Sequence, residues 1–214
     1  MKKLLLSFSL VAALVGLHGA ALAAPVDLTT WQIFGDSQVA PNSATITTAF
    51  SDEAPIGSGG GAIDINALES LLNTASGTLG ANAYEGSALS QSFNLGTSAT
   101  LTFNWTLGTD IFDAGFADLA FVLVDGNLLL PLANVTAAEL AGAFSYTFSA
   151  GNHTLAFGVV DINDVSGVSS LTVSNVILAA GNNAVPEPSS LALMVAGLGV
   201  FAYTRRQQFR RTKR

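Results

Sequence analysis

Two short stretches of this sequence hold side chains suited to binding a metal: Asp110, Asp113 and Asp118 in one, Asp161, Asn163 and Asp164 in the other. All six offer hard oxygen donors, and Ca2+ takes roughly six to eight of these. Brought together at one end of a folded domain, the two stretches would form a Ca2+ site. Asp161-Ile162-Asn163-Asp164-Val165 is not an EF-hand loop, because Val165 stands where a third acid or amide belongs and the distal glutamate is missing. The alternative is a pair of solvated turns in which Asp and Asn bond to nearby backbone.

Other chemistries find little support. His153 is the only histidine between the two ends of the chain, and no Gly-x-Ser-x-Gly elbow accompanies it, so a serine hydrolase triad has no basis. Cysteine is absent, which removes thiolate ligands, cysteine nucleophiles and disulfides. Glycoside hydrolysis needs only two carboxylates at a controlled separation, but Glu53, Glu69, Glu85 and Glu139 are dispersed and mark no pair. The expectation is a protein that is not an enzyme. Trp31 and Trp105 are candidates for stacking on a sugar ring, with core packing as the alternative.

Charge is strongly segregated. All eight Lys and Arg residues lie at the ends, as Lys2, Lys3, Arg205, Arg206, Arg210, Arg211, Lys213 and Arg214. Of 15 acidic residues only Glu187 lies outside residues 24–184, leaving 14 acids and no Lys or Arg in that span. The formal net charge of -7 conceals this. Acids there must be solvated, protonated or bound to a cation, and the fold must rest on apolar burial and backbone hydrogen bonds. A surface without Lys or Arg cannot neutralise phosphates, so nucleic acid and anionic headgroups are poor partners for this span.

The elements that must position these residues are short alternating runs separated by Gly, Asn, Asp and Ser, which predict an all-β, antiparallel β-sandwich. Strands are expected near residues 31–37, 44–50, 87–95, 99–107, 119–124, 128–132, 143–148, 153–160 and 170–178. Asp125-Gly126 and Gly151-Asn152 predict tight hairpin turns. One short surface helix is expected over residues 64–73, capped by Asp64, with Ile65, Leu68, Leu71 and Leu72 on one face. A helical turn is expected at residues 136–140. In Thr102-Phe103-Asn104-Trp105-Thr106, Phe103 and Trp105 share a face. Phe116, Phe121, Phe144, Phe148 and Phe157 are expected in the core.

The amino end has the three parts of a secretory signal: Met1-Lys2-Lys3, an apolar run from Leu4 to Leu17, and Ala21-Leu22-Ala23 in the small-x-small cleavage pattern. Cleavage is expected after Ala23, or at the neighbouring position after Ala24. The apolar run is shorter than the roughly 18 to 20 residues that spanning requires. Residues 1–23 are thus expected to engage the Sec translocon and signal peptidase, residues 24–184 to form one ectodomain, and residues 185–214 to form a carboxyl-terminal signal.

That last segment reads Val185-Pro186-Glu187-Pro188, then an apolar run over residues 189–204, then a basic tail over residues 205–214. The run is short for a transmembrane helix, and the tail would stay cytoplasmic by the positive-inside rule. This end resembles the PEP-CTERM sorting signal of Gram-negative bacteria, with Pro186-Glu187-Pro188 matching the name-giving motif. The resemblance implies an exosortase that cuts near the motif, a transient anchor in the inner membrane, and delivery to the cell surface or an extracellular biofilm matrix with exopolysaccharide as partner. Two prolines around a glutamate hold an extended segment, which a protease cleft accepts.

A second resemblance runs through Gly86-Ser87-Ala88, Leu101-Thr102-Phe103-Asn104-Trp105, Asp118-Leu119-Ala120-Phe121-Val122, Phe157-Gly158-Val159-Val160-Asp161 and Ser174-Asn175-Val176. These segments are similar to exported PEP-CTERM surface domains with a jelly-roll, lectin-like sandwich. The resemblance implies a structural or adhesive role, with a specific carbohydrate-binding module as the alternative. Ser174 stands where that pattern leads one to expect an acid, against a shared metal site there.

Overall fold

The computed structural model describes residues 23–57, 60–111 and 117–181. Residues 1–22 of the signal segment, with Ala21, the residues Asp113 and Phe116, and the sorting segment from Val185 onward lie outside the described residues, while Ala23 and Ala24 lie in the first strand. Among the described residues no helix is long and apolar enough to cross a membrane.

Alternation of apolar and polar residues produces two antiparallel six-stranded sheets. The first, sheet A, contains β1 (Ala23–Pro25), β3 (Ser37–Ala40), β4 (Ser43–Thr47), β7 (Ala99–Thr109), β10 (Glu139–Phe148) and β12 (Ser169–Ala180), in the order β10-β7-β12-β4-β3. β1 pairs with the far half of β12, Ala23 opposite Ala179. Sheet B contains β2 (Gln32–Phe34), β5 (Ile63–Asp64), β6 (Ala83–Leu95), β8 (Leu119–Val124), β9 (Leu128–Asn134) and β11 (Gly151–Ile162), in the order β2-β6-β11-β8-β9 with β5 on β6.

The inner faces meet in a core built on Leu89, Phe103, Val122, Phe148, Leu155, Phe157 and Leu171. Phe157 is fully buried, with its ring centroid 4.8 Å from Trp31 and 5.7 Å from Phe103. A side chain of this size contributes on the order of 2 to 3 kcal/mol through burial. The outer face of sheet B is also covered. Helix α1 (Ile65–Leu71) lays Ile65 and Leu68, with Leu72 just beyond, over Ala88, Phe121, Ala156 and Val160. The Asp64 carboxylate caps α1 by accepting from the amides of Asn66 (2.9 Å) and Ala67 (3.4 Å).

Several expectations need correction. The strand expected over residues 31–37 breaks at Gly35, whose φ of 79° turns the chain from sheet B into sheet A. A Cβ there would lie 2.4 Å from the Ser87 hydroxyl oxygen, so the approach needs glycine. On α1, Leu71 is exposed and Glu69 is buried, because the Glu69 carboxylate accepts from the amides of Gly77 (2.8 Å) and Leu79 (2.9 Å) and pins the following loop. No helical turn forms over residues 136–140. Glu139 and Leu140 instead open β10, paired with Gly108 and Leu107. Asp125-Gly126 is the expected hairpin turn, with φ of 53° and 67°. Gly151-Asn152 is not one: β10 and β11 belong to different sheets, and only Gly151 has positive φ.

Candidate functional site

Strand β11 carries reactive groups at both ends. Toward its carboxyl end Asp161 follows Leu155, Phe157 and Val159 on the face turned to sheet A. Glu85 extends the same parity in β6 ahead of Ser87 and Leu89, and Asp118 does so ahead of Ala120 and Val122. Three carboxyls therefore meet where the core runs out. Asp161, Glu85 and Asp118 are 1%, 2% and 8% exposed.

The cluster spans the two sheets. Asp118 accepts from the Ser169 hydroxyl (2.5 Å) and from the Ile162 amide (3.1 Å), while the Ser169 amide donates to the Thr48 hydroxyl oxygen (3.0 Å). The Asp161 carboxyl lies against those of Asp118 and Glu85 and near the Thr48 hydroxyl. It completes no well-formed hydrogen bond to any of them, and both its oxygens and Glu85 Oε1 are buried without a partner. Burial first, and the Asp118 charge second, push Asp161 up to about 9. Glu85 rises to about 7 through burial and then the charge of Glu53, and burial raises Asp118 as well. At neutral pH Asp161 keeps its proton.

The other end of β11, about 27 Å away at strand rise, opens onto a groove of about 450 Å³. Ser92, Phe93 and Asn94 of β6, Asn152, His153 and Thr154 of β11, and Asp125 of the β8–β9 turn line it. The Asn94 side-chain amide donates to Asn152 Oδ1 (2.5 Å), directly across the strand pair. Asp125 accepts from the Thr154 amide (2.8 Å) and faces His153 Nδ1 at 3.0 Å. His153 Nε2 faces the Ser149 carbonyl oxygen at 3.2 Å. Both ring nitrogens thus face oxygen atoms. The ring is packed beside Phe148 (5.1 Å) and Phe93 (6.2 Å).

The residues expected to bind Ca2+ are distributed differently. The two loops do meet at one end, since Asp110 accepts from the Val168 amide (2.7 Å). Asp118 and Asp161 turn inward, whereas Asn163 has a φ of 72° and donates its amide to the Asn82 carbonyl (2.8 Å). Asp164 contributes charge near Asp118. Among the described residues no three His, Cys, Asp or Glu side chains are arranged to hold a metal ion.

The tryptophans follow the core-packing alternative. Trp31 is 7% exposed and packed in the core. Trp105 is half-buried on the core side, and a Cβ at Gly142 opposite would meet its ring at 2.6 Å. Neither indole lines the groove.

The sequence matches the PEP-CTERM protein-sorting motif over residues 184–211. No curated protein matches it. Among solved structures, it is similar to a family 35 carbohydrate-binding module from Clostridium thermocellum, at 12% identity over 72% of this chain and 98% of that one, TM-score 0.33. A family 35 carbohydrate-binding module from an environmental isolate gives 19% identity over 71% and 93%, TM-score 0.31. The K3 cleaved adhesin domain of Lys-gingipain from Porphyromonas gingivalis gives 15% identity over 66% and 74%, TM-score 0.35. At these values the likeness says nothing of ligand or activity.

Proposed function

We propose that this chain is exported and sorted by an exosortase, and that its domain works without catalysis as a structural or adhesive component of the cell surface or extracellular matrix, in association with exopolysaccharide. The observation that carries this reading is the sorting motif over residues 184–211. In this reading residues 1–23 are removed by signal peptidase after passage through the Sec translocon, and residues 185–214 hold the protein briefly in the inner membrane. A domain with 14 acids and no Lys or Arg stays hydrated and soluble beside polysaccharide. The test is intact mass and cell fraction in strains with and without the exosortase. Loss of residues beyond about Pro188 only when the enzyme is present supports the reading. An unchanged tail in both strains, with the protein in the inner membrane, overturns it.

A second reading, a specific carbohydrate-binding module, is favoured by the groove. Its paired amides, a carboxylate and the hydroxyls of Ser92 and Thr154 offer donors and acceptors side by side, as the vicinal hydroxyls of a sugar require. Titration with purified exopolysaccharide fragments, using wild type and Asn152→Ala, separates the two readings. Saturable binding that Asn152→Ala weakens about tenfold supports recognition, and equal, non-saturating association leaves only the hydrated matrix role.

A further inference from the structure

We infer that the outer face of sheet A is a docking surface for an uncharged polysaccharide, held by rows of hydroxyl and amide side chains laid across neighbouring strands. This surface is separate from the groove at the His153 end, and its role rests on the association with exopolysaccharide proposed above. Alternation puts Leu101, Phe103 and Leu107 of β7 and Leu171 and Val173 of β12 in the core, so their even-numbered neighbours face outward. Register then aligns those neighbours. Thr106, Thr172 and Thr45 stand in one row across β7, β12 and β4, and Asn104, Ser174 and Ser43 stand in the next. Toward the edge strand β10, Thr102 lies opposite Ser145 and Thr100 opposite Thr147. Members of a row are about 4.8 Å apart and successive rows about 7 Å apart. The hydroxyls of Thr45 and Thr172 are bonded at 3.1 Å, and those of Thr100 and Thr147 at 3.0 Å. All of these side chains are exposed or half-buried.

Charge avoids this face. Of the 14 acids between residues 24 and 184, Glu139 alone lies in a strand of sheet A, at the outer end of β10 opposite Gly108. A solvent-facing surface ordinarily draws about a quarter or more of its residues from Lys, Arg, Asp and Glu. Sheet B, by contrast, hides its outer face under α1, the one α-helix among the described residues.

The chemistry of the rows selects the partner. Hydroxyls and side-chain amides both donate and accept. An apolar partner would strip water from them and return no hydrogen bond. A phosphate or sulfate polymer would find no cation to meet it. A second copy of the domain would bring another 14 acids with no Lys or Arg to receive them. Sugar hydroxyls share the dual donor and acceptor character, and a polymer repeats them along its length. Thr is stiff at χ1, so its hydroxyls are placed before the partner arrives and less freedom is lost on binding. An uncharged glycan reaches this face without desolvating an ion, whereas a polyuronate is repelled by the acids elsewhere on the domain.

The experiment is titration of the full-length protein, in chelator, with a soluble neutral β-glucan and with alginate, a polyuronate. Wild type is compared with the double variant Thr106→Val and Thr172→Val, with Asn104→Lys, and with Asn152→Ala in the groove, and each protein is sedimented alone. The expected result is saturable β-glucan binding at least about tenfold tighter than alginate binding, weakened about tenfold or more by each variant of the face and unchanged in Asn152→Ala. Val keeps the branched shape of Thr, and Asn104→Lys carries the test if the double variant does not fold. β-Glucan binding lost in Asn152→Ala and kept in the face variants overturns the inference and leaves the groove as the carbohydrate site. Equal binding of alginate overturns it, as does self-association that the face variants abolish, which would make the face a contact between copies. Absence of β-glucan binding overturns it as well, while export and sorting are judged separately by intact mass.

Discussion

The two ends of β11 solve one electrostatic problem in opposite ways. At the Asp161 end three carboxyls are withdrawn from water, and burial raises each of them, with no Lys or Arg between residues 24 and 184 to offset it. At the His153 end a single carboxylate, Asp125, remains partly in solvent, is bonded to a backbone amide and faces the domain's one imidazole. The first end joins the sheets and offers nothing to a ligand outside. The second leaves amides, hydroxyls and a carboxylate open. Burial of polar groups thus marks the part that holds the fold, and exposure of polar groups marks the part available for binding.

The largest disturbance should come from the strand's middle, where both ends depend on the same packing. Phe157→Ala should cost about 3 to 5 kcal/mol in chemical denaturation and weaken both ends together. Next comes Ser169→Ala, which leaves a buried Asp118 oxygen without its hydroxyl donor and should cost about 1 to 3 kcal/mol, with the groove unaffected in ligand titrations. Asp64→Ala removes the cap of the helix covering sheet B, and a loss of about 0.5 to 2 kcal/mol is expected. The smallest effect is expected for Asp125→Asn. That change should lower stability by less than about 1 kcal/mol, and less still at high salt, while altering any binding in the groove. A stability loss at Asp125 as large as that at Ser169 would erase the distinction between the ends.

The sandwich was largely readable from alternation, because a half-buried strand repeats its environment every second residue. Leu119–Val124, buried on both faces, was readable instead as a continuous apolar run ending at a turn, and Asp64 caps the helix as its type and place suggest. Glu69 was hidden from periodicity, which counts apolar residues and cannot register a carboxylate held by two loop amides. Glu85 escaped for the same reason, although its parity with Ser87 and Leu89 was a usable sign that it faces inward. The groove had no local signature at all. Asn94 and Asn152 are neighbours only through the β6–β11 register, and register between distant strands is a tertiary property.

Both ends of the described domain leave it on the same side. Ala23 lies beside Ala179, and the Gly181 amide donates to the Ser98 carbonyl, next to the turn that links β6 to β7. Mechanically this creates two very different load paths. A pull between the two termini would peel β1 from β12 one hydrogen bond at a time, the weak direction for a sheet. A pull from the groove to Gly181 would run through the short span from Asn94 to Ala99 and bypass the core. A tether at that corner would let the domain bear drag on whatever it holds while the far end carries none of the force.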